Sequence, residues 1–175
     1  DGQELQDRVQ EHRRLRLVSV SMDDEPILDF REHSAAPGPL LRQRARPGLN
    51  IVGHFLSEHS IGEAARGSVR AADAAGVPAC PVRLRIPLTS RQCDETVKAR
   101  LATGLTHPVS LYHIGIRETE EIELYHGAGW MRGRYNIAFW AWETREFPED
   151  WVRHARCFDE IWSPSRFATE AIQMR

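Results

Sequence analysis

Residues 49–76, LNIVGHFLSEHSIGEAARGSVRAADAAG, decide the fold because they predict a buried strand, a loop and a helix in succession. The strand is the short apolar run at 49–55. Ser60 stands three residues before Glu63, which is the capping-box pattern of a helix start. Gly76 occupies the position typical of a helix end, and Pro78 prevents the helix from continuing.

This predicted helix has an apolar face and a polar face. At helical spacing, the apolar stripe contains Ile61, Ala65, Val69 and Ala72. The polar side contains Glu63, Arg66, Arg70 and Asp73. One side of the helix is therefore expected to pack on a sheet while the other faces solvent.

The start of the same helix predicts an anion site. Backbone N–H groups in the first turn of a helix lack intrahelical acceptors, and together with the helix dipole they favour a phosphate. Gly62 would let such an anion approach the backbone closely. The loop fits equally well a turn in which Gly62 serves only the local geometry and nothing binds.

Length, composition and charge set the class of protein. The chain has 175 residues, enough for one domain with a sizeable core, and its net charge of −2 gives no sign of a nucleic-acid-binding surface. The three cysteines have no C-x-x-C spacing, which predicts reduced thiols in a cytoplasmic protein rather than a zinc site. No apolar run is long enough to span a bilayer, and no signal peptide is recognisable.

Residues 1–47 predict an arm in front of the domain. Residues 4–17 have a thin apolar stripe and predict a solvated helix that docks on a partner or on an upstream segment. Residues 18–47 are rich in proline and arginine and carry an acidic run at 23–25, which predicts an irregular lead-in. Within it, 18–20 or 27–30 could pair as a short strand.

The remainder, 48–175, predicts an alternating series of strands and helices. Further strands are expected at 79–86, 109–114, 135–142 and 160–163. Further helices are expected at 94–103 and at 118–126, the second with a solvated glutamate face. Another helix is expected to begin with Pro148 as its first residue. The last helix is expected after a cap at Ser163 or Ser165, with inward side chains at Phe167, Ala168, Ala171 and Ile172. Such alternation is typical of an α/β fold, a Rossmann-like doubly wound parallel sheet with right-handed crossovers.

Ligands of such sheets bind beyond the carboxyl ends of the strands. That rule selects these candidates: Ser57, Glu58, His59 and Gly62; His113 and Gly115; Glu143 and Thr144; and residues 164–166. His54 and Trp140 are expected in the core. Trp142 beside Glu143 fits a sugar, because an aromatic ring stacks on C–H faces and a carboxylate accepts from hydroxyls.

Common motifs are missing from the sequence. The loop after the first strand has one glycine instead of G-x-G-x-x-G, and no acidic residue follows for a ribose, which disfavours NAD. An NADP-binding variant that uses Arg83 or Arg85 has only weak support. The sequence has no P-loop, no G-x-S-x-G and no H-E-x-x-H, so no metal site is predicted.

Three segments together resemble glycosyltransferase family 4, in particular bacterial members with the GT-B architecture. They are GLNIVGHFLSEHSIGEAARGSVRAADAAGVP at 48–78, RYNIAFWAWETREFPEDW at 134–151 and DEIWSPSRFATEAI at 159–172. The resemblance covers 48–175 and corresponds to the amino-terminal Rossmann-like domain of that architecture. Residues 1–47 contribute nothing to it.

The resemblance implies an enzyme of two Rossmann-like domains that transfers a sugar with retention of configuration and without a metal or other cofactor. The amino-terminal domain mainly holds the acceptor, which could be a growing glycan, a glycolipid or a small molecule, and peripheral membrane association is compatible with this. The other domain mainly holds the nucleotide sugar. That domain, with its E-x7-E carboxylates, is missing here, so this chain alone is expected to be inactive.

The resemblance also implies roles for individual residues. The expected donor-phosphate loop is Ile61, Gly62 and Glu63, and the expected acceptor contacts are His59, His113, Trp142 and Glu143. Ser165 and Arg166 are expected at the cleft between the domains. No residue is assigned as a general base. Two alternatives stay open: a non-catalytic Rossmann-like module that docks through residues 4–47, and an NADP-dependent oxidoreductase.

Overall fold

The computed structural model describes residues 16–19 and 47–173, which form an α/β fold around one parallel sheet. The strands are β1 Arg16–Ser19, β2 Leu49–Gly53, β3 Ala79–Arg83, β4 Val109–His113, β5 Tyr135–Phe139 and β6 Glu160–Ser163. The α-helices are α1 Ser60–Ala74, α2 Ile122–His126 and α3 Arg166–Gln173, and short 3₁₀ helices cover Lys98–Arg100, Arg117–Glu121 and Glu149–Cys157. The Rossmann-like α/β class expected from the alternating pattern is confirmed.

The strand order is β1-β6-β5-β4-β2-β3, and every neighbouring pair is parallel. From β2 the chain crosses to β3 on one side, then returns past β2 to β4 and continues outward to β5 and β6. The direction of the crossovers therefore reverses between β2 and β4. In sheets of this kind a crevice opens at that switch point, beyond the carboxyl ends of the two strands.

Two hydrophobic clusters cover the two faces of the sheet because successive side chains of a strand point to opposite sides. Ile51 lies on the face covered by α1, whereas Val52 lies on the opposite face. The α1 cluster contains Ile51, Phe55, Ala65, Val69, Ala72 and Val97. The larger cluster includes Val82, Tyr112, Ala138, Trp140, Phe147, Phe158 and Ile161. The prediction that Trp140 belongs to the core is confirmed.

Asn50 is fully buried and joins β2 to the segment that leads into β4. Its Nδ2 donates to the carbonyl oxygens of His107 (2.9 Å) and Val109 (3.2 Å) and to Ser110 Oγ (2.9 Å). Its Oδ1 accepts from the backbone N–H groups of Thr106 (2.8 Å) and His107 (3.0 Å). A buried amide that is fully hydrogen-bonded in this way specifies which segment lies beside β2.

Helix α1 matches its predicted bounds but not its predicted N-terminal cap. Val77 N–H donates to the Ala72 carbonyl at 2.9 Å and Gly76 N–H to that of Asp73 at 3.1 Å, and Gly76 has a φ of +67°. These bonds form a Schellman motif, as the glycine predicts. The capping box is wrong: His59 occupies the N-cap without a side-chain hydrogen bond.

Several other predicted boundaries need correction. Strands β2 to β5 each end one to three residues earlier than expected. Their last residues are Gly53, Arg83, His113 and Phe139. The helix predicted at 94–103 is wrong apart from the 3₁₀ turn Lys98–Arg100, because Ala102 instead pairs with Val82 and donates its N–H to the Pro81 carbonyl at 2.8 Å. The element at 118–126 is divided between a 3₁₀ helix and α2.

The last two helices also differ in detail. Pro148 is extended and precedes the 3₁₀ helix Glu149–Cys157 instead of occupying its first position. Ser165 caps α3, since its Oγ accepts the Ala168 N–H at 3.2 Å. Phe167 was expected to face inward, but its side chain is 45% exposed. The buried residues of α3 are Ala168, Thr169 and Ala171, and Ile172 packs against the core as expected while partly buried.

Strand β1 belongs to the predicted arm but pairs with β6, with Arg16 opposite Glu160 and Ser19 opposite Ser163. The helix predicted at 4–17 therefore does not include its last two residues. The expected short strand at 18–20 is confirmed only for Val18 and Ser19, within a strand that starts earlier. The other expectations for the arm, including the strand at 27–30, lie outside the described residues.

Candidate functional site

The region beyond the carboxyl ends of β2 and β4, which we call the crevice, lies between the loop after β2, residues 54–59, and the loop after β4, residues 114–118. Glu118 connects the two loops. Its Oε2 lies 3.4 Å from His54 Nε2 and accepts the Gly115 N–H at 3.0 Å. An ionised carboxylate can only accept, so the proton of this pair is on His54 Nε2. His54 is 3% exposed, which confirms its expected place in the core as a hydrogen-bonded histidine.

Glu118 was expected on a solvated glutamate face, and this is wrong, since its side chain is 26% exposed and turned into the crevice. The hydrogen bond from His54 lowers the pKa of Glu118 most, burial opposes that effect, and the Gly115 N–H and the charges of His54 and His59 lower it further. The crevice therefore contains a fixed carboxylate. A glutamate three residues after a glycine at a strand end was the available sequence signal.

His59 lies at the rim of this crevice. It is exposed, occupies the N-cap of α1, and its backbone N–H donates to Ser57 Oγ at 3.2 Å. Its charge acts on the Glu118 carboxyl, so the two side chains belong to one electrostatic environment. The first turn of α1, with its unpaired N–H groups, begins immediately after it.

The conformation around Gly62 accounts for the glycine without a ligand. A Cβ atom at this position would lie 2.6 Å from the Ser57 carbonyl oxygen and 2.8 Å from that of His54. The space that a side chain would occupy is thus filled by the preceding loop. The close approach that we expected an anion to make is made by the backbone of the chain itself.

The other two residues of the expected donor-phosphate loop differ in their surroundings. Ile61 is half-buried. Glu63 pairs with Arg66 Nε at 2.9 Å and with Arg70, and these hydrogen bonds, that of Arg70 first, lower its pKa. The negative charge that Glu63 places near the helix start is therefore compensated by two arginines.

Arg66 was expected on the polar face of α1, and this is wrong, because it is only 4% exposed. Its Nη1 donates to the carbonyl oxygens of Phe55 and Ser57, each at 2.8 Å. Asp94 Oδ2 lies 3.3 Å from its Nε. Arg66 thus contacts the loop after β2, and sequence periodicity did not reveal this.

His113, an expected acceptor contact, lies in the interior. It is 1% exposed, its Nε2 lies 2.9 Å from Ser68 Oγ, and its ring packs on Phe139. Burial lowers the pKa of His113 to about 4, so the ring is neutral at physiological pH. The side chain points under α1, and its burial keeps it out of contact with any ligand in the crevice.

The loop after β5 places Trp142 in an aromatic cluster with Phe147 and Trp151. Its ring centroid lies 5.1 Å from that of Phe147 and 5.4 Å from that of Trp151, and its Nε1 donates to the Glu146 carbonyl. The adjacent Glu143 is exposed.

Arg117 links this cluster to the crevice. Its guanidinium carbon lies 6.0 Å from the Trp151 ring centroid, which is cation–π range. Arg117 directly precedes Glu118, so the loop after β4 contacts Trp151 of the aromatic cluster through this side chain.

Ser165 and Arg166 lie after β6, two strands away from β4. Ser165 is used as the cap of α3, and Arg166 Nε pairs with Glu170 at 2.7 Å. The structure therefore does not bring them to the crevice between β2 and β4. Within residues 16–19 and 47–173, no group of three histidine, cysteine or acidic side chains could hold a metal ion.

No protein-family model, no curated protein and no solved structure matches this chain. In the described part of the chain, no helix has the length and apolar character needed to cross a membrane. The geometry of the crevice is therefore the basis for a functional assignment, together with the sequence motifs.

Proposed function

We propose that this chain is the amino-terminal, acceptor-side domain of a cytoplasmic, retaining glycosyltransferase that uses a nucleotide sugar. The observation that supports it best is at the crevice between β2 and β4, where the fixed carboxylate of Glu118 bonds to His54 in the loop that leads to His59 and the start of α1. Crevices at this position are the usual ligand sites of doubly wound sheets. The motifs W-x-W-E at 140–143 and P-S-R-F at 164–167, which resemble glycosyltransferase family 4, narrow the proposal to sugar transfer.

The groups at the crevice have complementary tasks in such a reaction. Glu118 and His59 can bind hydroxyl groups of the acceptor, since a carboxylate accepts and an imidazole N–H donates. The leaving diphosphate gains negative charge, and the unpaired N–H groups at the start of α1 can stabilise that charge. The remaining contacts to the donor would come from a carboxyl-terminal domain.

Trp142 and Glu143 form the outer part of the proposed acceptor site. Trp142 is half-buried and is held by Phe147 and Trp151, so its orientation is fixed, while Glu143 is exposed and free to meet a hydroxyl group. An aromatic ring beside a carboxylate suits a sugar ring. The acceptor could be a glycan, a glycolipid or a small molecule, and a lipid-linked acceptor would bring the protein to a membrane surface.

The proposal is tested with sugar transfer by the full-length protein, in the presence of UDP-glucose and GDP-mannose in turn. Glu118→Gln and Glu143→Ala each remove a carboxylate that we expect to bind a hydroxyl, so kcat/KM should fall about tenfold or more, as for a lost hydrogen bond to a charged group. Glu149→Gln, an exposed glutamate of the 3₁₀ helix after Pro148, is the matched control and should leave the rate unchanged.

Unchanged rates for both Glu118→Gln and Glu143→Ala would contradict the site. Thermal shift of the full-length protein distinguishes the enzyme classes, because a ligand stabilises the form that it binds. A shift with a nucleotide sugar is expected. A shift with NADP alone would favour the oxidoreductase that uses Arg83 or Arg85, and no shift with either would favour the interaction module.

A further inference from the structure

The loop after β2 is held in place by one buried charged side chain. Arg66 donates to the carbonyl oxygens of Phe55 and Ser57, which are two residues apart in the loop. A buried guanidinium without acceptors would be costly, so these bonds stabilise both the arginine and the loop. Because both backbone acceptors belong to the same loop, Arg66 fixes the orientation of two peptide groups there.

Gly62 makes this contact sterically feasible. The Ser57 carbonyl oxygen that accepts from Arg66 is also the atom that would lie 2.6 Å from a Cβ at Gly62. A side chain at this position would push the carbonyl away from the guanidinium. Glu63, which lies between Gly62 and Arg66 in the sequence, places its carboxylate 2.9 Å from Arg66 Nε. The G-E-x-x-R sequence at 62–66 thus acts as one unit that faces the loop.

A second segment, residues 90–94, holds the same loop from its other side. Asp94 N–H donates to the Leu56 carbonyl at 3.0 Å, and Glu58 N–H donates to the Arg91 carbonyl at 3.1 Å. The Asp94 carboxylate also lies 3.3 Å from Arg66 Nε. Arg66 therefore contacts both the loop after β2 and the segment that covers it.

We propose that Arg66, made accessible to the loop by Gly62, is the positioning residue of the crevice. It holds residues 55–58 so that His59 and the first turn of α1 face the carboxyl end of β4. This explains why G-E-x-x-R stands at the helix start: its glycine admits the loop and its arginine fixes it. The inference rests on the proposed function only for what the loop binds.

Site-resolved amide hydrogen exchange tests this proposal without a ligand. In Arg66→Met, protection of the Ser57, Glu58 and Asp94 amides should fall about tenfold or more because the loop opens locally. Amides of Leu111 in β4 and Ile137 in β5 should keep their protection. Arg66→Lys should be intermediate, because an ammonium has one charged centre and cannot present the planar fork of a guanidinium.

Arg70→Met is the matched control. Arg70 lies one turn further along α1 and also pairs with Glu63, but it is exposed and its hydrogen bond goes to Glu63, not to the loop. Its variant should leave the three loop amides protected. If Arg66→Met does not fold, the proposal is tested with Gly62→Ala and Arg66→Lys. Both variants should lower the protection of the same three amides.

Equal loss of protection in the loop and in β4 and β5 would show a general stabilising role and would overturn the proposal. Unchanged protection of the loop amides would also overturn it. Since neither result depends on sugar transfer, failure of this proposal and failure of the transferase assignment are separate outcomes.

Discussion

Three histidines around the switch point have different surroundings, and burial explains what each can do. His59 is exposed at the rim of the crevice, whereas His54 is buried against Glu118. His113 is buried under α1 against Ser68. Of the three, only His59 is free to contact a ligand directly, although all of them follow or end a strand at the same edge of the sheet.

We expect His113 to make stability depend on pH. Its pKa in the folded protein, about 4, lies below the ordinary value of 6.5, so the unfolded chain binds the proton first as the pH falls. The free energy of unfolding should therefore decrease between about pH 6.5 and pH 4, by up to about 3 kcal/mol at about 1.4 kcal/mol per pKa unit.

The measurement is urea unfolding across this pH range for the protein and for His113→Gln. The difference in unfolding free energy between them should shrink as the pH falls, because the variant lacks the titrating ring. His59→Gln, at an exposed ring that folding does not bury, is the control. A difference that is constant with pH would contradict the burial of a neutral His113.

Sequence patterns predicted some of the residues at the switch point and missed others for a physical reason. His59 was predicted to lie on the ligand side of the sheet because it follows a strand. That position depends on local sequence only. Arg66 and Glu118 were assigned to solvated faces because helical spacing and charge favour that placement. Their burial depends on carbonyl and imidazole groups of another segment, residues 54–57, that reach them only after the chain has folded.

At the scale of a helix, α1 offers two glycines in opposite environments. Gly62 is packed against the loop, and a Cβ there would lie 2.6 Å from a carbonyl oxygen. At Gly67 the nearest atom to a Cβ would be Arg70 Nη2 at 3.8 Å, which is ordinary van der Waals contact. We expect Gly62→Ala to destabilise the protein by about 1–3 kcal/mol through overpacking. Gly67→Ala should stabilise it by about 0.5–1 kcal/mol through helix propensity.

Chemical denaturation of the two variants measures this contrast. The pair is its own control, because both substitutions add one methyl group to the same helix. Equal effects of the same sign would mean that the loop does not press on Gly62. Stabilisation by both variants would indicate that propensity alone determines the role of these glycines.

The elements that the sequence predicted best are those whose signals are local. Gly76 correctly predicted the end of α1, because a Schellman motif needs a residue with positive φ at this position. The helix expected at 94–103 failed because its last part is drawn into the sheet edge by Ala102 and Val82. The capping box failed because Glu63 is bound by Arg66 and Arg70 and is not available to the N-cap.

For the whole molecule, the alternation of elements predicted the parallel sheet but not the order of its strands. The position of β4 beside β2 depends on Asn50, whose buried amide binds the segment that leads into β4. The position of β1 at the outer edge depends on pairing with β6. Neither long-range pairing leaves a periodic signal, so both required the structure.

Strand β1 covers the edge of β6, and we expect its loss to expose that edge. Alternate residues of a strand direct their N–H groups to the same neighbour, so one of Leu17→Pro and Val18→Pro must remove a hydrogen bond to β6. That variant should increase amide exchange in Glu160–Ser163, and the other should do so less. Exchange in Ala79–Arg83, at the far edge, is the internal control, and equal increases at both edges would contradict the prediction.

The pairing of β1 with β6 also has a consequence for biosynthesis. A ribosome releases Arg16–Ser19 long before Glu160–Ser163, so the partner that β1 has among the described strands is not yet present while β2, β3, β4 and β5 are being made. Folding during synthesis generally starts at the amino terminus. The pairing of β1, however, is delayed until β6, the last strand, has been synthesised. Until then β1 cannot form its hydrogen bonds to β6, so completion of the sheet waits for the synthesis of β6.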